Sequence, residues 1–387
     1  MESKNLKINV PDGMRDLVFG DCRRYSAIER RLAEVYESLG YREVRTPALE
    51  YLEVFDGGSA LPRERMYKLT DNSGRLLALR ADNTMPMARV AATKLLGELP
   101  ALLYYNQSVF AVQSENSGRA GEIMQSGVEI IGAPAPRGDL LCIYTAIKAL
   151  RVLGLPFKLE LGHVGFFNSL LCELELTDEA KTDLRRLVNA KNAVLLGSFE
   201  GLEKSQLARL RRIPLLYGGE EIFDEAEEVA AGNEGALIAL EYVKKLHRLL
   251  EEAGLADDII IDLGIVHEID YYTGAVLRGY TAGAGEPILS GGRYDGLLES
   301  FGHSVPATGF AINVGLVAER LANAGVGENG GAPDVLIHYP GHEFAKAAEL
   351  AERLASEGKR CELSCFESEE EARLYAAARG ILEVVVL

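Results

Sequence analysis

The sequence predicts an α+β protein: a mainly antiparallel sheet flanked by helices, broken by a helical insertion and followed by a small α/β unit. Three observations predict it. Residues 101–113 and 122–132 are strand-like and flank SENSGRAG, a Gly/Ser/Asn stretch suited to a hairpin loop. Residues 168–255 are rich in Leu, Ala, Glu and Lys, poor in β-branched residues, and lie between strand-like segments. After a Gly-rich linker at 322–332, strand and helix patterns alternate to the end of the sequence. The hairpins in the first part exclude a doubly wound α/β fold.

In order along the chain, residues 23–40 carry Tyr25, Ile28, Leu32, Val35, Tyr36 and Leu39 at three- and four-residue spacing. That spacing predicts an amphipathic helix, with Gly40 as its C-terminal stop. YREVRTPALE reads as an extended segment punctuated by Pro47, and RLLALR (75–80) as a strand before a helix over 85–97. LGLPFKLELG is a strand before the insertion, and DIIIDLG, YYTGAVLRGYTAG and PILSGG are strands after it. DGLLESFG is helical, and GFAINVG leads from a strand into a helix at AERLANAG. DVLIHYP, HEFAKAAELAERLASEG, RCELSCF, SEEEARLYAAARG and ILEVVVL then read as strand, helix, strand, helix, strand, a small parallel unit with right-handed crossovers. The expected domains are a core over 1–325, holding the insertion at about 168–255, and a separate unit over 333–387.

With 387 residues there is ample chain for a sizeable core. No apolar run reaches the ~20 residues of a bilayer span, and the N-terminus lacks the order of a signal peptide. Five scattered cysteines (Cys22, Cys142, Cys172, Cys361, Cys365) fit reduced thiols. The C-x3-C pair has no second Cys/His pair to complete a zinc site, so no metal site is expected. These features predict a cytoplasmic, non-membrane protein. A net charge of −17 argues against a nucleic-acid partner, which is normally met by a basic face.

Three polar segments stand out. In LRADNTMPMAR (79–89), Arg80, Asp82, Asn83 and Thr84 cluster where a strand meets a helix, and they can cap that helix or bind a ligand. In EIMQSGVEIIG, strand alternation puts Gln125 and Glu129 on one face, where they are solvated or else need buried partners. In GIVHEIDYYTG, alternation sends Tyr271 and Tyr272 to opposite faces, as core or edge packing.

In this order the segments resemble the class II aminoacyl-tRNA synthetases, and within them the histidyl-tRNA synthetases. The resemblance runs from about Pro11 to about Arg320 and loosely through the C-terminal unit. VPDGMRD (10–16) resembles the family's opening Pro-x-Gly-x-x-Asp, and LRADNT its Leu-Arg-Pro-Glu-Gly-Thr. GVEIIG resembles the strand after motif 2, and DYYTG the histidine-specific Leu-Asp-Tyr-Tyr. SGGRYDGLLESFG through PATGFA resembles the run into motif 3. The resemblance implies a histidine pocket. Asp82 and Gln125 would hold the α-ammonium, Glu129 would contact the imidazole, and Tyr271 and Tyr272 would line the walls, with Thr84 in the same set.

The departures concern positive charge. Amino-acid activation needs cations on the transferring phosphate. The family's motif 2 Phe-Arg is Phe110-Ala111 here, its arginine before Leu-Asp-Tyr-Tyr is His267, and its motif 3 arginine is Leu316, with Arg320 one helical turn later. Loss of one such donor typically costs ~10²–10³ in rate. The C-terminal unit, where the synthetases read the anticodon, holds six Lys/Arg against eleven Asp/Glu. A synthetase-like chain with an amino-acid pocket and no ATP or tRNA function resembles the regulatory subunits of ATP phosphoribosyltransferase, which opens histidine biosynthesis. That resemblance implies a non-catalytic subunit without a cofactor. Its expected partners are the short-form catalytic subunit, L-histidine as effector, and a second copy in a homodimer within a hetero-oligomer. The alternatives are a divergent histidyl-tRNA synthetase, a paralogue activating an amino acid for another acceptor, and a standalone histidine sensor.

Overall fold

In the computed structural model, the described residues are 6–56, 61–113, 120–266, 271–325 and 332–387. They form two compact units, Met1–Leu17 with Arg24–Val326, and Val18–Arg23 with Gly327–Leu387. No helix among the described residues is long and apolar enough to cross a membrane.

The strands of the larger unit, in chain order, are β1 (Arg42–Glu43), β2 (Leu49–Tyr51), β3 (Lys68–Thr70), β4 (Leu76–Leu79), β5 (Ala101–Phe110), β6 (Glu122–Ile131), β7 (Phe157–His163), β8 (Tyr217–Gly218), β9 (Ile259–Asp262), β10 (Ala275–Thr281), β11 (Leu289–Arg293) and β12 (Ala307–Asn313). Nine of them form one sheet in the order β1-β5-β6-β12-β11-β10-β7-β9-β8. Only β1–β5 and β7–β9 run parallel, so the antiparallel expectation holds. A second, three-stranded antiparallel sheet has the order β2-β4-β3.

The predicted first helix spans Phe19–Ser38, and its buried face is Ile28, Leu32 and Tyr36, four residues apart. Tyr36 packs against Tyr41, Tyr104 and Phe310, with ring centroids 6.2, 5.6 and 6.3 Å away, which seats the helix against β5 and β12. Gly40 ends the turn at φ 83°. The helix Arg137–Val152 contributes Ile143, Ala146, Ile147 and Leu150 to the same core. The insertion is helical, with Val164–Cys172 and Glu234–Glu252 as its main packed pair, and adds only the two-residue β8 to the sheet. DGLLESFG forms a short 3-10 turn, Leu297–Phe301, instead of an α-helix, ended by Gly302 in the left-handed region. Five residues between the Gly296 and Gly302 ends leave no room for successive α-turns.

The smaller unit has β13 (Val335–His338), β14 (Cys361–Leu363) and β15 (Glu383–Val386) in the parallel order β14-β13-β15. Helices Phe344–Ser356 and Glu369–Arg379 alternate with these strands.

Candidate functional site

Arg80 sets the local geometry. It is buried, and its guanidinium donates to the carbonyls of Ser108 (2.8 Å), Thr46 (2.9 Å) and Pro47 (3.0 Å) and to Gln107 Oε1 (3.1 Å). These bonds fix the end of β4, so the next three residues open the helix Thr84–Lys94. Asp82 Oδ1 accepts from the Met85 backbone N–H at 2.8 Å. The capping role left open by the sequence is therefore real, and Asp82 also lines a cavity of about 1190 Å3.

That cavity collects every pocket residue expected from the sequence that the described residues contain: Asp82, Thr84, Gln125, Glu129, Tyr271 and Tyr272. Gln125 and Glu129 share a face of β6, as alternation requires. Tyr271 and Tyr272 correct the expectation of opposite faces. They precede β10 in irregular backbone, where strand alternation does not apply, and their ring centroids are 4.7 Å apart. Tyr294, which the sequence reading did not single out, closes the group, its ring 5.9 Å from that of Tyr271.

Glu129 is the buried centre of this arrangement, 1% exposed. One carboxylate oxygen accepts from Thr84 Oγ1 at 3.0 Å and the other from the Tyr294 hydroxyl. Gly309 makes room for it, because a Cβ there would run into the carboxylate and the Val128 carbonyl. Burial pushes Glu129 up to about 8, Tyr294 and Thr84 pull it down, and the Asp82 charge pushes it up. An unfolded glutamate ionises near 4.5. The folded state thus holds an extra proton between those values. This contribution to stability is complete below pH 4.5 and is lost as pH rises to about 8. Glu129→Gln removes it. Thermal melts between about pH 5 and about pH 8 are expected to show the wild-type Tm falling relative to this variant.

Of the three positions where the resemblance implies lost arginines, Ala111 and Leu316 line the same cavity, and His267 lies outside the described residues. Arg320 donates to the Gly283 carbonyl of the β10–β11 turn. Two arginines not anticipated from the sequence do line the cavity, Arg15 and Arg65. Arg15 bonds the Tyr25 hydroxyl and stacks on that ring, with the guanidinium carbon 5.6 Å from its centroid. Arg65 reaches the Val112 carbonyl (3.4 Å) and Gln113 Oε1 (3.3 Å). Against these two cations, the described lining carries six carboxyl groups: Asp12, Asp82, Glu122, Glu129, Glu286 and Glu319. That balance suits an ammonium and opposes a polyphosphate. In the insertion, Glu220, His247 and Glu251 bring potential metal-ligating atoms within 4.8 Å of one another, a grouping the sequence reading missed. His247 and Glu251 are one helical turn apart, which was legible, but Glu220 joins them only through folding.

The histidyl-tRNA synthetase family model matches residues 13–317. The ATP phosphoribosyltransferase regulatory subunit of Clostridium kluyveri is 40% identical over 385 residues, covering 97% of this chain and 98% of that protein. This chain belongs to the ATP phosphoribosyltransferase regulatory subunit family. Another such subunit, from Clostridium acetobutylicum, is 39% identical and covers 98% of this chain and 95% of its own length. A crystal structure from Bacillus halodurans, described as an ATP phosphoribosyltransferase regulatory subunit/histidyl-tRNA synthetase, superposes with a TM-score of 0.86 at 31% identity and 98% coverage of each chain. The regulatory-subunit family thus carries the class II synthetase-like fold, as the sequence motifs implied.

Proposed function

We propose that this chain is a non-catalytic, histidine-binding regulatory subunit that assembles with the short-form catalytic subunit of ATP phosphoribosyltransferase and makes its activity responsive to histidine. The observation that carries this reading is one cavity in which six histidine-pocket candidates meet Ala111 and Leu316 at positions where activation chemistry needs arginine. In this reading Glu129 takes the imidazole, with Thr84 and Tyr294 holding its carboxylate. Asp82 and Gln125 take the α-ammonium, and Tyr271 and Tyr272 close the sides. Neither aminoacylation nor tRNA binding is expected.

The same reading makes the chain a cytoplasmic homodimer within a larger hetero-oligomer, paired through residues 23–40 and the motif 1 segment. In the same reading the 333–387 unit is a counterpart, truncated, of the synthetases' anticodon-binding domain. Feedback requires histidine to favour one state of the complex over another. A mixing assay tests this. Adding the chain to a short catalytic subunit is expected to raise phosphoribosyl transfer and to make it histidine-sensitive. If rate and histidine sensitivity are both unchanged, the function is different.

A further inference from the structure

Asn83 sits between the cap and the pocket, and its side-chain hydrogen bonds serve the pocket wall and not the cap. It holds the N-cap position of the helix Thr84–Lys94, yet its side chain makes no capping bond, the neighbouring Asp82 having taken that task. Instead the amide turns towards the sheet. Its Nδ2 donates to Gln125 Oε1 at 3.0 Å and to the Gln107 carbonyl at 3.4 Å. The residue is 1% exposed, and its Oδ1 is buried without a hydrogen-bond partner among the described residues. Asn83 also lines the cavity.

A buried amide oxygen without a donor is costly unless a ligand supplies one. We propose that Asn83 Oδ1 is a receptor for the α-ammonium of the bound amino acid, so that Asn83 determines specificity for a ligand carrying a primary amine. This rests on the histidine reading of the cavity. A primary ammonium has three N–H donors. In this reading Asn83 Oδ1 and the remaining lone pair of Gln125 Oε1 take two of them, beside the Asp82 carboxylate. The Nδ2 bond to Gln125 adds a second effect, since it fixes which end of the Gln125 amide faces Asn83. Asn83 thus both receives the amine and orients a second receptor for it.

The test is calorimetric titration of the full chain with L-histidine and with imidazole-4-propionate, which keeps the ring and carboxylate and lacks the amine. In Asn83→Ala, histidine affinity is expected to fall about 10- to 100-fold while that for imidazole-4-propionate is unchanged. Asn83→Asp keeps an oxygen at this position and removes the Nδ2 donor, so it is expected to retain the preference for histidine. Equal losses for both ligands in Asn83→Ala, or no loss, overturn the proposal. So does loss of the histidine preference in Asn83→Asp, which would assign Asn83 to orienting Gln125 alone. If the wild-type chain binds imidazole-4-propionate and histidine equally, the amine is not read and Asn83 has no such role. If it binds neither, the histidine reading itself fails, a result visible before any variant is made.

Discussion

Glu129→Ala is expected to weaken histidine binding by about 30-fold or more, because the bound imidazole shares the proton that Glu129 holds at neutral pH, and truncating one partner of such a buried, charge-assisted hydrogen bond costs about 2–5 kcal/mol. The carboxyl group is held by two hydroxyls, Thr84 and Tyr294, from different parts of the chain. Those hydroxyls fix its orientation, so little rearrangement is needed when an imidazole arrives. Glu129→Gln separates charge from shape. Its amide oxygen can still accept one of the two hydroxyls, so the fold is retained while the charged interaction is lost. Calorimetry with histidine should therefore give weak binding for both variants, with the alanine variant also melting lower. Near-wild-type affinity in either would move the imidazole elsewhere.

The second large effect is on stability. Arg293→Met is expected to destabilise the larger unit by about 3–5 kcal/mol, because it strands a buried carboxylate. Arg293 and Asp139 are 3% and 2% exposed, with Arg293 Nε 2.8 Å from Asp139 Oδ1. Arg293 Nη1 also reaches Asp295 Oδ1 at 2.8 Å, and Asp139 accepts the Tyr242 hydroxyl from the insertion. The next residue is Tyr294, so this ion pair fixes the strand end that delivers a hydroxyl to Glu129. Thermal denaturation should show a Tm lower by roughly 6 °C or more. The double variant Arg293→Met with Asp139→Leu should recover much of that loss, since an apolar pair needs no charge compensation. A double variant as unstable as the single one would show that packing of the arginine stem, not the stranded charge, dominates.

These two residues also mark how far the sequence was legible. The antiparallel sheet, the helical insertion and the small parallel unit followed from local patterns, the 3.6-residue period of the helices and the apolar runs of the strands, of which β13 is buried on both faces. Gln125 and Glu129 were found in the same way. Tyr271 and Tyr272 were misoriented, because period-2 reasoning was extended into backbone that is not a strand. Tyr294 and the Arg293–Asp139 pair were missed, since their partners lie 165 and 154 residues away in the chain. No local pattern carries a contact of that span. Arg80 was grouped with ligand candidates by its neighbours, yet its donors are taken by backbone carbonyls and Gln107, a structural role that only burial reveals. Arg15 and Arg65 were overlooked for a related reason: each comes from a separate segment, and only the fold brings them to one cavity.

The central claim is that an amino-acid pocket persists where nucleotide activation does not. Titrating the chain with histidine and then with ATP, followed by histidine-dependent pyrophosphate exchange, tests it most directly. Saturable histidine heat, no saturable ATP heat and no exchange are the predicted results. ATP binding accompanied by exchange would show that Arg15 and Arg65 replace the missing arginines, and the chain would then be a working activating enzyme.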